Sequence, residues 1–73
     1  MDTTRYLFKK TRKKAGFKTQ LQLAKCMKYS KTHISDIETG KSDPSFGFVE
    51  DFVKVCNEKG FYIDNVLEVF RKG

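Results

Sequence analysis

The stretch from Ser30 to Ser42 holds the side chains best suited to directed hydrogen bonds outward from the chain. Set on a helix at 100° per residue, Ile34 and Ile37 fall on one face. Thr32, Ser35, Asp36 and Thr39 fall on the opposite face, flanked by Lys31 and His33. Lys31 donates, Thr32 and Ser35 donate or accept, and Asp36 accepts. Thr32 also carries a methyl group. A face of this kind matches the donor, acceptor and methyl pattern that base pairs present in the major groove, where Lys31 would meet guanine O6 and N7. Plain solvent exposure is the competing explanation for Thr32 and Ser35. Asp36 suits cytosine N4, but a carboxylate near phosphates is repelled; its other roles are to orient Lys31 or Lys28, or to reject other bases. Ser30 and His33, at the edge of the helix, fit a base or phosphate contact. For His33 an ordinary surface position fits equally well.

A helix this short with two apolar anchors is not stable alone, so other elements must display it. The spacing predicts a first helix over about Thr4–Ala15, capped by Asp2 or Thr3. Leu7, Phe8, Thr11 and Ala15 face inward there, Lys9, Lys10, Arg12, Lys13 and Lys14 cover the other faces, and Gly16 ends it. The second helix spans about Gln20–Met27, with Thr19 and Gln22 forming a capping box and Leu23, Ala24 and Met27 inward. Lys28 and Tyr29 make a turn, Ser30 caps the third helix, and Gly40 stops it after Thr39. Asp43-Pro44 is turn chemistry. Ser45 then caps a fourth helix, Phe46 to about Lys59, with Phe46, Val49, Phe52, Val53 and Cys56 at 3–4 spacing. Gly60 ends that helix, and Phe61-Tyr62 leads to a fifth over Ile63 to about Arg71, carrying Val66, Leu67 and Phe70. Gly73 reads as frayed. No repeat or linker interrupts the chain, so residues 1–73 form one all-α domain.

Charge is divided unevenly. The net charge is +6, yet residues 1–31 hold ten Lys/Arg against Asp2 alone, and residues 32–73 hold five basic and eight acidic residues. A basic half beside an acidic one implies a polyanion facing one side of the molecule. Two cysteines, Cys26 and Cys56, and one histidine are too few for a zinc site, and free thiols in a reducing cytosol are expected. No apolar run approaches the ~20 residues of a membrane span. No nucleophile, base and orienting group come together, so neither an enzyme nor a cofactor is expected. RNA binding lacks a platform of exposed aromatics.

The run Gln20-x-x-x-Ala24-x-x-x-Lys28-Tyr29-Ser30-x-x-x-Ile34-Ser35-x-Ile37-Glu38-x-Gly40 resembles the helix-turn-helix of the Cro and lambdoid-repressor (Xre-type) proteins. Lys14-Ala15-Gly16-Phe17, Asp43-Pro44-Ser45-Phe46 and Ile63-Asp64-Asn65-Val66-Leu67 look like that family's first-helix end, loop and fifth helix. The resemblance implies a compact five-helix lambda-repressor-like DNA-binding domain, with the helix-turn-helix at about 19–40. The family's phosphate-binding glutamine is matched by Gln20, whose place at a helix N-terminus adds free N–H groups to an anion site. The family's backbone-touching loop after the reading helix is matched by Gly40, Lys41 and Ser42. Glu38 matches a structural glutamate, with Arg12 or another first-helix cation as its partner. Lys9, Lys10, Lys13 and Lys14 either widen the phosphate footprint or form a solvated face. Two departures stand out. Lys28 occupies a turn position that usually holds glycine, and Lys18 looks like an extra residue before Thr19.

The expected function is that of a sequence-specific transcriptional regulator, a small phage or mobile-element-type repressor that binds operator DNA and occludes polymerase in a bacterial cytoplasm. An antitoxin that represses its own operon, and a protein-interaction module that kept the fold without DNA binding, are the alternatives. One helix reads only about 4–5 base pairs, so a homodimer on an inverted repeat is expected. Phe61, Tyr62, Val66, Val69 and Phe70 are candidates for its surface. Completing the core is the better reading of Phe61, Val66 and Phe70, and Tyr62 and Val69 fit either role. No metal, small-molecule ligand or membrane is expected as a partner.

Overall fold

In a computed structural model, which describes residues 3–73, five helices follow in order. They are α1 (Tyr6–Lys14), α2 (Gln20–Met27), α3 (Lys31–Thr39), α4 (Phe46–Glu58) and α5 (Val66–Val69), with no strand among the described residues. The all-α, five-helix expectation holds. The caps expected for α2, α3 and α4 are present: Thr19, Ser30 and Ser45 each accept from the backbone N–H three residues on. Gln22 completes the box at Thr19, and its Oε1 accepts from both Thr19 N and Lys18 N. The additional residue before α2 is thereby tied into the cap.

Aromatic packing sets the centre. Phe8, Phe48 and Phe52 are fully buried. Phe8 lies 4.7 Å from Phe52 and 5.2 Å from Phe70, centroid to centroid. Phe17, Leu23, Ala24, Met27, Ile34 and Ile37 continue the same core beneath α2 and α3. Rings that meet edge-on or tilted add specific attraction to the large area each buries, which suits a chain this small.

Several elements differ from expectation. α1 starts at Tyr6, with Arg5 before it and no side-chain cap. Asp2 lies outside the described residues, and Thr3 instead donates its hydroxyl to Thr39 O at 3.1 Å. Arg12, expected on an outer face, is buried, because it shares the inward face with Phe8, Thr11 and Ala15 at i+4, i+1 and i−3. In α4 the buried residues are Phe48, Phe52, Val55 and Cys56; Val49 and Val53 are half-buried, and Phe46 is 79% exposed. α4 carries two apolar stripes, and the Phe8 cluster takes the one containing Phe48. α5 is a single turn, because Asn65 caps it by accepting from Glu68 N. The chain then leaves the helix, and Phe70 O accepts from Arg5 Nε at 2.9 Å. Val69 belongs to the core, Phe61 and Phe70 pack against it, and Leu67 is 87% exposed. Gly73 is not frayed: its N–H donates to Thr4 O at 3.1 Å.

A buried ion pair fastens α1 to α3. Arg12 Nη2 stands 3.4 Å from Glu38 Oε1, and both side chains are 4% exposed. Arg12 Nη1 also donates to Phe17 O at 2.8 Å, and Gln20 Nε2 donates to Glu38 Oε2 at 2.7 Å. The glutamate is structural, as expected. Removing one member of a buried pair strands the other charge. Glu38→Ala should therefore cost about 3–5 kcal/mol in denaturant unfolding, a large part of a small domain's stability. A loss well under about 1 kcal/mol would show that the pair behaves as a solvated one.

The two cysteines are free, Cys26 exposed and Cys56 buried. Burial pushes the Cys56 thiol from its ordinary 9.0 up to about 11. A thiol reagent should modify Cys26 in the native protein and reach Cys56 only on unfolding. Because the folded pKa is the higher one, Cys56 should support stability fully below pH 9 and lose that contribution as pH rises toward 11. Mass spectrometry after native and denaturing alkylation checks the first point, and unfolding curves against pH check the second.

Candidate nucleic-acid interface

Between α2 and α3 the chain must reverse within a few residues. Lys28 does this with a left-handed backbone, φ 64° and ψ 28°, and is the one described non-glycine residue with positive φ. A side chain there costs about 1–2 kcal/mol. The turn geometry that glycine usually supplies is kept. Lys28 lines a groove with Asp51, Lys54 and Glu58, between the end of α2 and α4.

α3 buries Ile34 and Ile37 completely. Lys31, Thr32 and Thr39 are exposed, and Ser35 and Asp36 are half-buried. The four candidate base-reading residues therefore share the outward side of one helix. Among the described residues no ion pair joins Asp36 to Lys31 or Lys28, so the orienting role considered for Asp36 finds no contact. Asp36 meets the following loop through its backbone, where its carbonyl accepts from Ser42 N at 3.1 Å. Ser30 is exposed at the start of the helix, where its hydroxyl oxygen is occupied as the cap for His33 N at 3.1 Å.

His33 has a neighbourhood that neither sequence alternative included. Its ring stacks on Tyr29 at 5.0 Å and 18°, and stands edge-on to Phe48 at 5.5 Å. It is half-buried as part of the aromatic packing that joins the turn to α4. The i+4 spacing from Tyr29 was the available signal, since residues four apart on a helical path meet.

Gln20 stands at the first position of α2, with its side-chain nitrogen held by Glu38. Beside it lies an open hollow lined by Lys9, Lys13, Lys18 and Thr39, with Gln20 and Glu38. Three lysines from two segments thus gather at a helix N-terminus, where the dipole and free N–H groups already favour an anion. Lys10 and Lys14 are exposed and do not line that hollow. Directly after Thr39, Gly40 has φ 85° and closes α3. A Cβ there would collide with the carbonyl oxygen of Thr3, so the position needs glycine on two counts. Lys41 is exposed, and Ser42 is half-buried.

Sequence reasoning missed Arg5, which is buried and bonded to the end of α3, the following loop and Phe70. The signal was its type. Arginine is rare in this chain beside lysine, and a planar fork of donors suits buried carbonyls as a lysine does not.

The described residues hold no group of three or more His, Cys, Asp or Glu placed to bind a metal ion. No helix is long and apolar enough to cross a membrane. Neither a curated protein nor a solved structure matches the chain. The family model described as helix-turn-helix domain matches residues 7–60, from α1 through the end of α4. That span covers well over half the chain and centres on the capped pair α2 and α3, so the chain belongs to the helix-turn-helix domain family, a class of DNA-binding domain used in regulation.

Proposed function

We propose that the protein is a sequence-specific transcriptional regulator of the Cro and lambdoid-repressor (Xre-type) kind, acting as a small phage or mobile-element repressor. The observation that carries this reading is the division of α3. Its apolar line is fully buried, while Lys31, Thr32, Ser35 and Asp36 line the other side. That side enters the major groove, where Lys31 meets guanine and Thr32 and Ser35 read donors, acceptors or a thymine methyl. Asp36 selects cytosine or rejects other bases. Phosphate contacts fall on Gln20 with the lysines of its hollow, which the Glu38–Thr39 end of α3 also lines, and on Gly40, Lys41 and Ser42 directly after that end. Ser30 and His33 lie at the edge, and His33 acts there mainly by stiffening the turn through its Tyr29 stack. A bound domain this small represses by covering the polymerase site.

Two copies bind an inverted repeat. Of the expected candidates, Val69 is buried and Phe61 and Phe70 pack on the core, while Tyr62 is 71% exposed and Val66 half-buried. The surface that joins the copies is the second stripe of α4 together with α5, Val66 included. Phe46, Val49, Val53, Val66 and Leu67 form an apolar groove there. Glu50 and Lys54 line it too, one turn apart on α4. A two-fold axis across antiparallel α4 helices sets Glu50 against the partner's Lys54, twice, so the surface is complementary to itself.

DNA affinity is expected to fall steeply with salt, and a flat response between low and high salt would contradict DNA binding. Lys31→Ala and Thr32→Ala should each relax base preference at one position, costing about 1–3 kcal/mol of discrimination. Gln20→Ala and Lys41→Ala should weaken binding to all sequences alike, and a shifted preference would reassign them. Leu67→Asp, at a site 87% exposed, should leave the thermal unfolding midpoint near wild type. The same substitution should lower affinity for a two-half-site duplex by at least about tenfold. Unchanged affinity, with unchanged mass in sedimentation, would exclude this surface as the interface.

A further inference from the structure

The last four carbonyls of an α-helix have no partner inside the helix. In α3 every one is answered from outside or from its own cap. Asp36 O accepts from Ser42 N at 3.1 Å, and Ile37 O accepts from Gly40 N at 3.2 Å and from Arg5 Nη1. Glu38 O accepts from Arg5 N at 2.8 Å, and Thr39 O from the Thr3 hydroxyl at 3.1 Å. Arg5 supplies two of these bonds, one from its backbone and one from its side chain. It also places a cation at the negative end of the helix dipole.

The same guanidinium reaches further. Nη1 also donates to Ser42 O at 3.0 Å, Nη2 to Asp43 Oδ1 at 2.7 Å, and Nε to Phe70 O at 2.9 Å. Arg5 is 2% exposed, so this charge faces carbonyls rather than solvent. Lys72 Nζ stands 3.0 Å from the same Asp43 Oδ1. Lys72 and Arg5 hold the Asp43 carboxyl below the usual carboxylate range. One planar fork thus joins the end of α3, the loop after it and the segment after α5. A lysine, with a single charged nitrogen, cannot span these directions.

We propose that Arg5 is a positioning residue for DNA binding, holding the Gly40–Ser42 loop at the depth from which it meets phosphates while itself staying off the DNA. The proposal rests on the DNA-binding reading above. Thr3 holds the chain just before the loop at Thr39 O, and Arg5 holds it at Ser42 O and at the Asp43 carboxylate. Lys41, exposed between those anchors, is presented at a set distance from the outward face of α3.

The test compares wild type, Arg5→Lys and Asp43→Ala on one selected duplex through a salt series, below the unfolding midpoint of each protein. Arg5→Lys keeps the net charge, so charge counting alone predicts an unchanged salt dependence. The proposal predicts at least about tenfold weaker binding and no change in preferred bases. It also predicts a slope of log K against log salt shallower by about 0.9, the contribution of one phosphate contact. Asp43→Ala removes an exposed carboxylate, so charge counting predicts tighter binding, whereas the proposal predicts weaker binding. A folded Arg5→Lys protein with wild-type affinity and slope overturns the proposal, as does tighter binding by Asp43→Ala. If Arg5→Lys does not fold, the sign of the Asp43→Ala effect decides. Absence of salt-dependent binding by wild type overturns the DNA reading itself and is distinguishable, because it appears before any substitution is made.

Discussion

The third helix has too little apolar surface to hold itself in place. α3 buries only two apolar side chains, Ile34 and Ile37, in nine residues, and a helix this short does not hold its shape alone in water. The remaining hold comes from its ends. Ser30 caps its start, and Glu38 in its last turn is pinned by Arg12 and Gln20. The last four carbonyls, from Asp36 to Thr39, are taken up by Ser42, Gly40, Arg5 and Thr3. Polar contacts at the ends leave the middle of the outward face unoccupied. A reading element needs this arrangement, because any side chain spent on packing is lost to recognition.

The buried Arg12–Glu38 pair has a second consequence. Such pairs contribute little net stability compared with well-packed apolar residues. What this one supplies is a direction: it fixes α1, α2 and α3 at one point, with Gln20 as the third member. Gln20 stands at the rim of the basic hollow, so the contact that locates α3 also locates the anion-attracting end of α2. One buried carboxylate thereby holds α3 and the N-terminus of α2 in a fixed register. The uneven charge fits the same division, with the basic half of the sequence supplying α1, α2 and the start of α3.

Much of this was legible in the sequence where one residue type has one job. The Thr19–Gln22 box, the Ser30 and Ser45 caps, the stop at Gly40 and the inward Ile34 and Ile37 each follow from local chemistry, and the structure contains them all. The structural role of Glu38 followed from the family resemblance, with Arg12 one candidate partner among the first-helix cations, although periodicity alone placed Arg12 outward. What was not legible depended on contacts between distant residues. α4 has two stripes at equally good helical spacing, and only the position of Phe8 decides which is buried. Arg5 belongs to no periodic pattern, since its partners lie 32 to 65 residues away. α5 ends early because Phe70 is drawn to Arg5, which no local signal encodes. Lys31 and Thr32 are exposed and Ser35 and Asp36 half-buried, on the side of α3 away from Ile34 and Ile37.

The central claim is that the outward face of α3, presented twice, reads a defined sequence. Selection of bound duplexes from a random pool tests it most directly. The account predicts enrichment of an inverted repeat with half-sites centred about 10 base pairs, one helical turn, apart. Recovery of no shared motif from a pool that the protein nevertheless binds would contradict it, leaving charge alone as the basis of binding.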